Sequence, residues 1–267
     1  MQGSSVIAEI LEELGQTTKL APLWTFWSWL DIRQRYRRSL LGPFWVSLTM
    51  AVSVLAIGLV YTYLFKQDIA AYLPYVAAGF VVWSLISGYV GESCLVYIQN
   101  EGYIMQIKLP YLLYPVRLLW RYLIVFGHHS LVLVVVLAIF TDVSLAAVFS
   151  SLIGLVLVSV NLLWIGIVLG ILSVKLRDVP VLISTVFQVM FLITPVIWPA
   201  EALGDRMLIA TYNPFYHFLE AIRGPLLQPD LPIWNNHAVF SCISGFFGSL
   251  LALVWLVRSK KRLALLL

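Results

Sequence analysis

The sequence predicts an all-α integral membrane protein with six transmembrane helices, and three observations carry that prediction. Of 267 residues, 61% are hydrophobic and 11% charged, against roughly 45–50% and about 25% in an ordinary soluble domain. The mean hydropathy of +0.93 is too high for the apolar residues to be buried within one water-soluble globule. Six charge-free runs also reach or exceed the roughly 20 residues that a helix needs to cross a hydrocarbon core of about 30 Å. Finally, the cations are sorted unevenly among the segments between these runs. The formal charge of +4 is too small to point to nucleic acid as a partner.

Residues 1–43 are expected to hold cytoplasmic and interfacial helices. Ile7, Ile10, Leu11 and Leu14 share one helical face opposite Glu9, Glu12 and Glu13, with Gly15 as a stop. These acids, and the lack of a basic stretch leading into an apolar run, argue against a cleavable export signal. From residue 23 to 38 the aromatic Trp24, Phe26, Trp27 and Trp29 precede Arg33, Arg35, Arg37 and Arg38. That order suits a segment in the headgroup layer, where indoles anchor and guanidinium groups meet phosphates, or a plain basic flank of the first span. Either reading keeps it on the cytoplasmic surface.

The spans are predicted at 44–65, 72–91, 122–141, 143–174, 179–200 and 231–257, making 44–257 the transmembrane domain and 258–267 a basic cytoplasmic tail. One side of this layout holds Lys19, Arg33, Arg35, Arg37, Arg38, Lys108, Arg117, Lys175, Arg177, Arg258, Lys260, Lys261 and Arg262; the other holds Lys66, Arg206 and Arg223. Both termini are therefore expected in the cytoplasm. Cys94 and Cys242 fall near opposite membrane faces, so no disulfide is expected between them.

Between the second and third spans, residues 98–117 are too polar to cross lipid and are read as a flexible loop or a short cytoplasmic helix ended by Pro110. On the outer side, Asn213 can cap and Pro214 can open a helix through Arg223, ended by Gly224-Pro225, with Glu220 and Arg223 spaced to pair. A second short helix is expected over 200–210. The two form either a hairpin dipping into the outer leaflet or a surface loop packed on the bundle.

No G-x-x-x-x-G-K-[ST] sequence occurs, so any ATP must be hydrolysed by another subunit. Adjacent His128 and His129 point about 100° apart and do not form a metal site; they are read as hydrogen-bonding groups. No Ser-His-Asp grouping is evident. Ionisable groups at membrane depth are costly and mark function; Glu92 is predicted to pair with Arg121 or Arg117, or each of these residues snorkels separately to the interface. Asn161 and Gln188 read as links between helices, and Thr194-Pro195 as a bend. Tyr61, Tyr63, Tyr75, Trp83 and Tyr89 are candidate aromatics for a path along which sugar rings slide, although interfacial belts explain Tyr61, Tyr63 and Tyr75 equally well.

The segment Arg35-Tyr-Arg-Arg-Ser-Leu-Leu-Gly-Pro-Phe-Trp45 resembles the entry to the first span of type-two ABC exporter permeases that move O-antigen, capsule and teichoic acid polymers. Residues 100–115, Leu176-Arg177-Asp178-Val179 and the stretch from Asn213 to Arg223 are similar to further segments of that family, in the same order. The resemblance implies a permease half that dimerises with spans one and five near the two-fold axis. It also implies two copies of a separate ABC ATPase that bind ATP-Mg, no cofactor on this chain, surrounding membrane lipids and a bacterial inner-membrane location. Asn100, Glu101, Tyr103, Lys108 and Pro110 would then form the coupling and gate segment, and Arg33, Arg35, Arg37 and Arg38 would lie near a lipid-linked pyrophosphate. An exporter of drugs or small lipids is the nearest rival. An ion-coupled carrier would need midplane charges and internal symmetry, neither of which is evident.

Overall fold

Polar residues at the breaks between apolar runs set many of the helix boundaries. The structure, a computed structural model, describes the chain except at positions 1–4, 36, 38, 40, 41, 43, 67, 201–203, 205, 206, 229 and 230, and except for the side chains of Phe65 and Lys261. Arg38 therefore lies outside the described residues. Eleven α-helices occur among them: α1 (Val6–Lys19), α2 (Ala21–Arg35), α3 (Phe44–Phe65), α4 (Ile69–Ser93), α5 (Glu101–Gln106), α6 (Leu113–Phe140), α7 (Leu145–Lys175), α8 (Val179–Ile193), α9 (Leu208–Thr211), α10 (Pro214–Leu227) and α11 (Asn236–Leu266). Side chains of Ser5, Asp68, Ser144, Asn213 and Asn235 accept from first-turn amides and so cap α1, α4, α7, α10 and α11. The chain is a multi-pass membrane protein.

Five helices, α3, α4, α6, α7 and α11, are long and apolar enough to cross a membrane. The predicted fifth span, 179–200, differs. It is helical only over the 15 residues of α8, roughly 22 Å at 1.5 Å per residue, and it leaves the helix at Thr194, whose extended backbone is what a following proline favours. The carbonyls that follow are met by side chains from other elements. The Tyr72 hydroxyl donates to Ile197 O (2.5 Å), the Tyr75 hydroxyl is shared between Pro195 O (3.1 Å) and Trp198 O (2.8 Å), and Arg223 Nη1 donates to Val196 O (3.4 Å). Irregular backbone survives at membrane depth only with such partners.

Three other boundaries move. Helix α6 starts nine residues before the predicted third span, so Arg117 and Arg121 stand one turn apart on one helix. Residues 258–267 are not a separate tail: α11 runs on to Leu266, with Leu263 buried. Helix α10 does not stop at Gly224-Pro225 but reaches Leu227. Pro225 has no N–H for the carbonyl of Ala221, four residues earlier, and that carbonyl packs against α7 at Gly154, so closely that a Cβ there would overlap it. Ser151 donates to the next carbonyl, Ile222 O, at 2.8 Å.

The core lies where α4, α6, α7, α10 and α11 meet, around Ile86, Leu162, Ile171, Phe218 and Leu256. Asn161 links α7 to α11, donating to Ser241 O (2.7 Å) and accepting from Ser244 (2.8 Å). Helices α3 and α8 both turn large apolar residues outward, among them Leu48, Val52, Tyr63, Val181, Leu182 and Leu192. No residue of α8 is buried, and Gln188 is exposed rather than packed between helices of this chain. Both cysteines are free.

Candidate functional site

The basic end of the bundle carries a charged network built from four elements. Helix α6 supplies Arg117, Arg121 and Tyr122, α2 supplies Trp27 and Asp31, α4 supplies Glu92, and Asn100 and Tyr103 lie at the start of α5. Arg117 is the hub. Its Nη2 lies 2.7 Å from both oxygens of Asp31, its Nε donates to Oδ2 at 3.2 Å, and its Nη1 donates to Asn100 Oδ1 at 3.0 Å. The guanidinium also lies over the Trp27 ring, 3.7 Å from its centroid. Multidentate charge-assisted bonds of this kind fix orientation as well as adding energy.

Arg121 forms an ion pair with Glu92 and lies 3.8 Å from Asp31. Glu92 also accepts from the Tyr122 hydroxyl at 2.8 Å. Two carboxylates face two guanidinium groups, so the network is neutral overall and mostly shielded from solvent. Of the two partners considered for Glu92, the structure brings it to Arg121, while Arg117 turns to Asp31. The side chains surround a cavity of about 190 Å³ whose lining includes Asp31, Glu92, Asn100, Tyr103, Arg117 and Arg121.

The segment between α4 and α6 is anchored on one side and exposed on the other. Asn100 bonds back to Val96 O (2.7 Å) as well as to Arg117, and the Tyr103 ring meets Trp27 edge-on at 4.7 Å. Tyr103, Met105 and Ile107 are large apolar residues open to solvent. Glu101 and Lys108 are also exposed, whereas Pro110 is buried. Helix α5 ends at Gln106, before Pro110, because Ile107 is already extended. Beneath it, Tyr97 packs against Tyr111 and Tyr114. Burial raises the Tyr97 phenol well above its ordinary value, and burial followed by the Glu13 carboxylate raises that of Tyr111, so both stay neutral.

Arg33 and Arg35 in the last turn of α2, and Arg37 beyond it, are exposed. The candidate path aromatics separate. Trp83 packs against Phe187, Phe191 and Phe215, and Tyr89 is wholly buried against Tyr122. These two are interior packing groups of one chain rather than walls of an open path, because burial of this kind leaves no face for a sliding sugar. Tyr61 is partly exposed, Tyr63 is exposed, and Tyr75 stacks under Arg223 with the guanidinium 4.0 Å from its centroid. His128 and His129 act as hydrogen-bonding groups, with Ile124 O and Ser84 respectively.

Sequence reasoning misses Asp31, and it reads Trp27 as a headgroup anchor and Glu13 as part of a solvated face rather than as contacts of Arg117 and Lys260. Asp31 is the one acid among the aromatic and basic residues of α2, a departure in pattern that is the only local signal for it. Glu13 belongs to the polar face of α1 by pattern and is instead buried, while Ile7, Leu11 and Leu14 are exposed.

A family model described as ABC-2 type transporter matches residues 23–227, from α2 through α10. The chain is also similar to proteins named O-antigen export system permease protein RfbA. That of Myxococcus xanthus is 22% identical over 206 residues, covering 76% of this chain and 79% of the relative. That of Klebsiella pneumoniae is 22% identical over 236 residues, covering 85% and 86%.

Proposed function

The chain belongs to the ABC-2 type transporter family, and from that premise we propose that it is the permease subunit of an ATP-driven exporter that moves a lipid-linked polysaccharide of O-antigen type across the bacterial inner membrane. The names of the two relatives support the choice of polymer over drugs or small lipids. The carrying observation is the Arg117 hub, which ties α5, with its exposed Tyr103 and Met105 and the exposed Ile107 just beyond it, to α2 and the membrane helices. The sequence holds no phosphate-binding loop, so the energy comes from a partner. Two copies of a cytoplasmic ABC ATPase dock on the α5 surfaces of a homodimer and bind ATP-Mg.

In this reading both termini and the basic end face the cytoplasm. A displacement of α5 by the ATPase moves Asn100, and Arg117 passes the movement to Asp31 on α2 and, through its own helix, to Arg121 and Glu92. Rigid helices joined by charge-assisted bonds transmit such a shift with little loss. Arg33, Arg35, Arg37 and Arg38 attract the lipid-linked pyrophosphate of the substrate to the headgroup layer. Helices α3 and α8 present the broad unburied faces at which two copies meet and between which the polymer passes. Gln188 on α8 supplies a polar group there, which lipid alone would disfavour.

The test is genetic and biochemical together. Deleting the gene is expected to abolish surface polysaccharide while polymer accumulates on its lipid carrier in the cytoplasm, and tagged chain is expected to retain a nucleotide-hydrolysing subunit through mild-detergent purification. Unchanged surface polymer in the deletion strain would overturn the assignment.

A further inference from the structure

A second site lies at the end of the bundle away from the charged network. There the start of α4, the end of α6, α10 and the start of α11 enclose a cavity of about 530 Å³, within the roughly 300–1,000 Å³ of small-molecule sites. Its polar lining includes Tyr75, Tyr216, Glu220, Arg223, Gln228 and His237, and Thr141 lies with them beside Ala70, Ala71, Pro74 and other apolar residues. Arg223 has no exposed surface, forms an ion pair with Glu220, and caps Val196 O through Nη1, while its buried Nε has no hydrogen-bond partner.

Capping the broken segment after α8 accounts for Arg223 and Tyr75, Glu220 pairs with Arg223, and His237 Nδ1 lies 3.0 Å from His217 Nδ1, yet these groups also line one open cavity. Glu220 commits Oε1 to Arg223 and holds Oε2 beside Gly224. The acid and the guanidinium cancel in charge, so the cavity has no net preference for an anion. What it offers is convergent: a carboxylate acceptor, a side-chain amide and an imidazole, facing an aliphatic wall. A sugar ring has that complement, with hydroxyls at its rim and C–H groups on its face, and a carboxylate with a free oxygen accepts from such hydroxyls.

We propose that this outer cavity binds one saccharide unit of the exported polymer as it leaves. The proposal rests on the polysaccharide reading above. It places a holding point for the leaving chain on the far side of the membrane from the ATPase, in the groove between α4 and α10. A unit held there by a few solvent-competed hydrogen bonds is released readily, as a stepwise exit requires.

The experiment uses the full chain with its ATPase in nanodiscs and, as probe, oligosaccharides released by mild acid from the surface polymer of the same cells. The wild-type complex is expected to bind them in equilibrium dialysis, and Glu220→Gln to bind at least about tenfold more weakly. Ala71→Leu, which narrows the cavity from its α4 wall without changing either member of the ion pair, provides a second variant and is expected to weaken binding while keeping the thermal transition of the wild type. No binding by wild type, equal binding in both variants, or displacement by excess inorganic phosphate each overturns the proposal. Export fails as a reading only if deletion leaves surface polymer intact. Loss of surface polymer without oligosaccharide binding refutes the cavity assignment alone.

Discussion

Lys260 in the last turns of α11 reaches Glu13 in α1, Nζ to Oε1, at 2.7 Å, and the other oxygen of Glu13 accepts from the backbone N–H of Leu112 at 3.0 Å. One buried carboxylate thus ties the first helix, the last helix and the chain entering α6. Both of the outer helices lie beyond the stretch that the family model matches, yet they brace the segment that carries α5. Glu13→Ala leaves the Leu112 amide unpaired and Lys260 without its counter-charge, a loss of about 1–3 kcal/mol. The expected readout is a lower temperature at which half the purified protein stays monodisperse, with Glu13→Gln intermediate because its amide oxygen still accepts from Leu112. Wild-type behaviour of the alanine variant would show that the tie is ornamental.

The charged network makes an asymmetric prediction. Arg117→Ala leaves Asp31 with only Arg121, 3.8 Å away, and removes the side-chain link from Asn100 to α6, and about 1.5–3 kcal/mol follows from the loss of charge-assisted bonds alone. Arg117→Lys is expected to behave almost as badly, since a lysine keeps the charge and loses the fork that holds Asp31 and Asn100 together. Exchanging the charges of Glu92 and Arg121 should restore part of the export lost in either single reversal. Restoration stays incomplete because the carboxylate brought to position 121 sits beside Asp31. Surface polymer measured by immunoblot separates the cases: full recovery excludes Asp31 from the network, and no recovery excludes the pair.

Legibility follows the range of the interaction. The apolar runs are local in sequence, and α3, α4, α6, α7 and α11 all fall on predicted spans. The Asn213 cap and the Glu220–Arg223 pair, a turn or less apart, are equally visible. Contacts such as Asp31 with Arg117, 86 residues apart, carry no periodicity, and nothing in α2 says which cation its acid meets. The face of α1 misleads for a related reason: amphipathic pattern assumes that the apolar side is the packed one, whereas here a buried salt bridge fixes the helix with Ile7 and Leu11 outward. Chemistry draws Trp83 and Tyr89 to a path, and packing assigns them to the interior.

The exposed side of α5 is expected to be the ATPase contact. Met105→Asp places a charge on a solvent-facing apolar residue and so leaves the fold of the isolated chain unchanged, while it disfavours burial against a partner. Co-purified nucleotide hydrolysis should fall by about tenfold or more, with the elution volume of the permease unaltered. Retention of the full ATPase complement would move the docking surface elsewhere, and a change in the permease's own elution profile would mark the effect as one of folding.

The position of α10 depends on how closely it approaches α7 at Gly154. A Cβ there would overlap the carbonyl oxygen of Ala221, and the obstruction is backbone, which has no rotamer to yield. Gly154→Ala must therefore push α10 outward or bend it, an overpacking cost of about 1–3 kcal/mol, and it separates Ser151 from Ile222 O. The same shift draws Arg223 away from Val196 O and loosens the segment that Tyr72 and Tyr75 hold. Leu219→Cys, at a position buried in the native chain, reports the shift. Its thiol is expected to resist a membrane-impermeant maleimide added from outside while Gly154 is present, and to be labelled once Gly154→Ala is added to the same chain. Equal protection in both would mean that α7 yields instead, and that the contact does not determine where α10 sits.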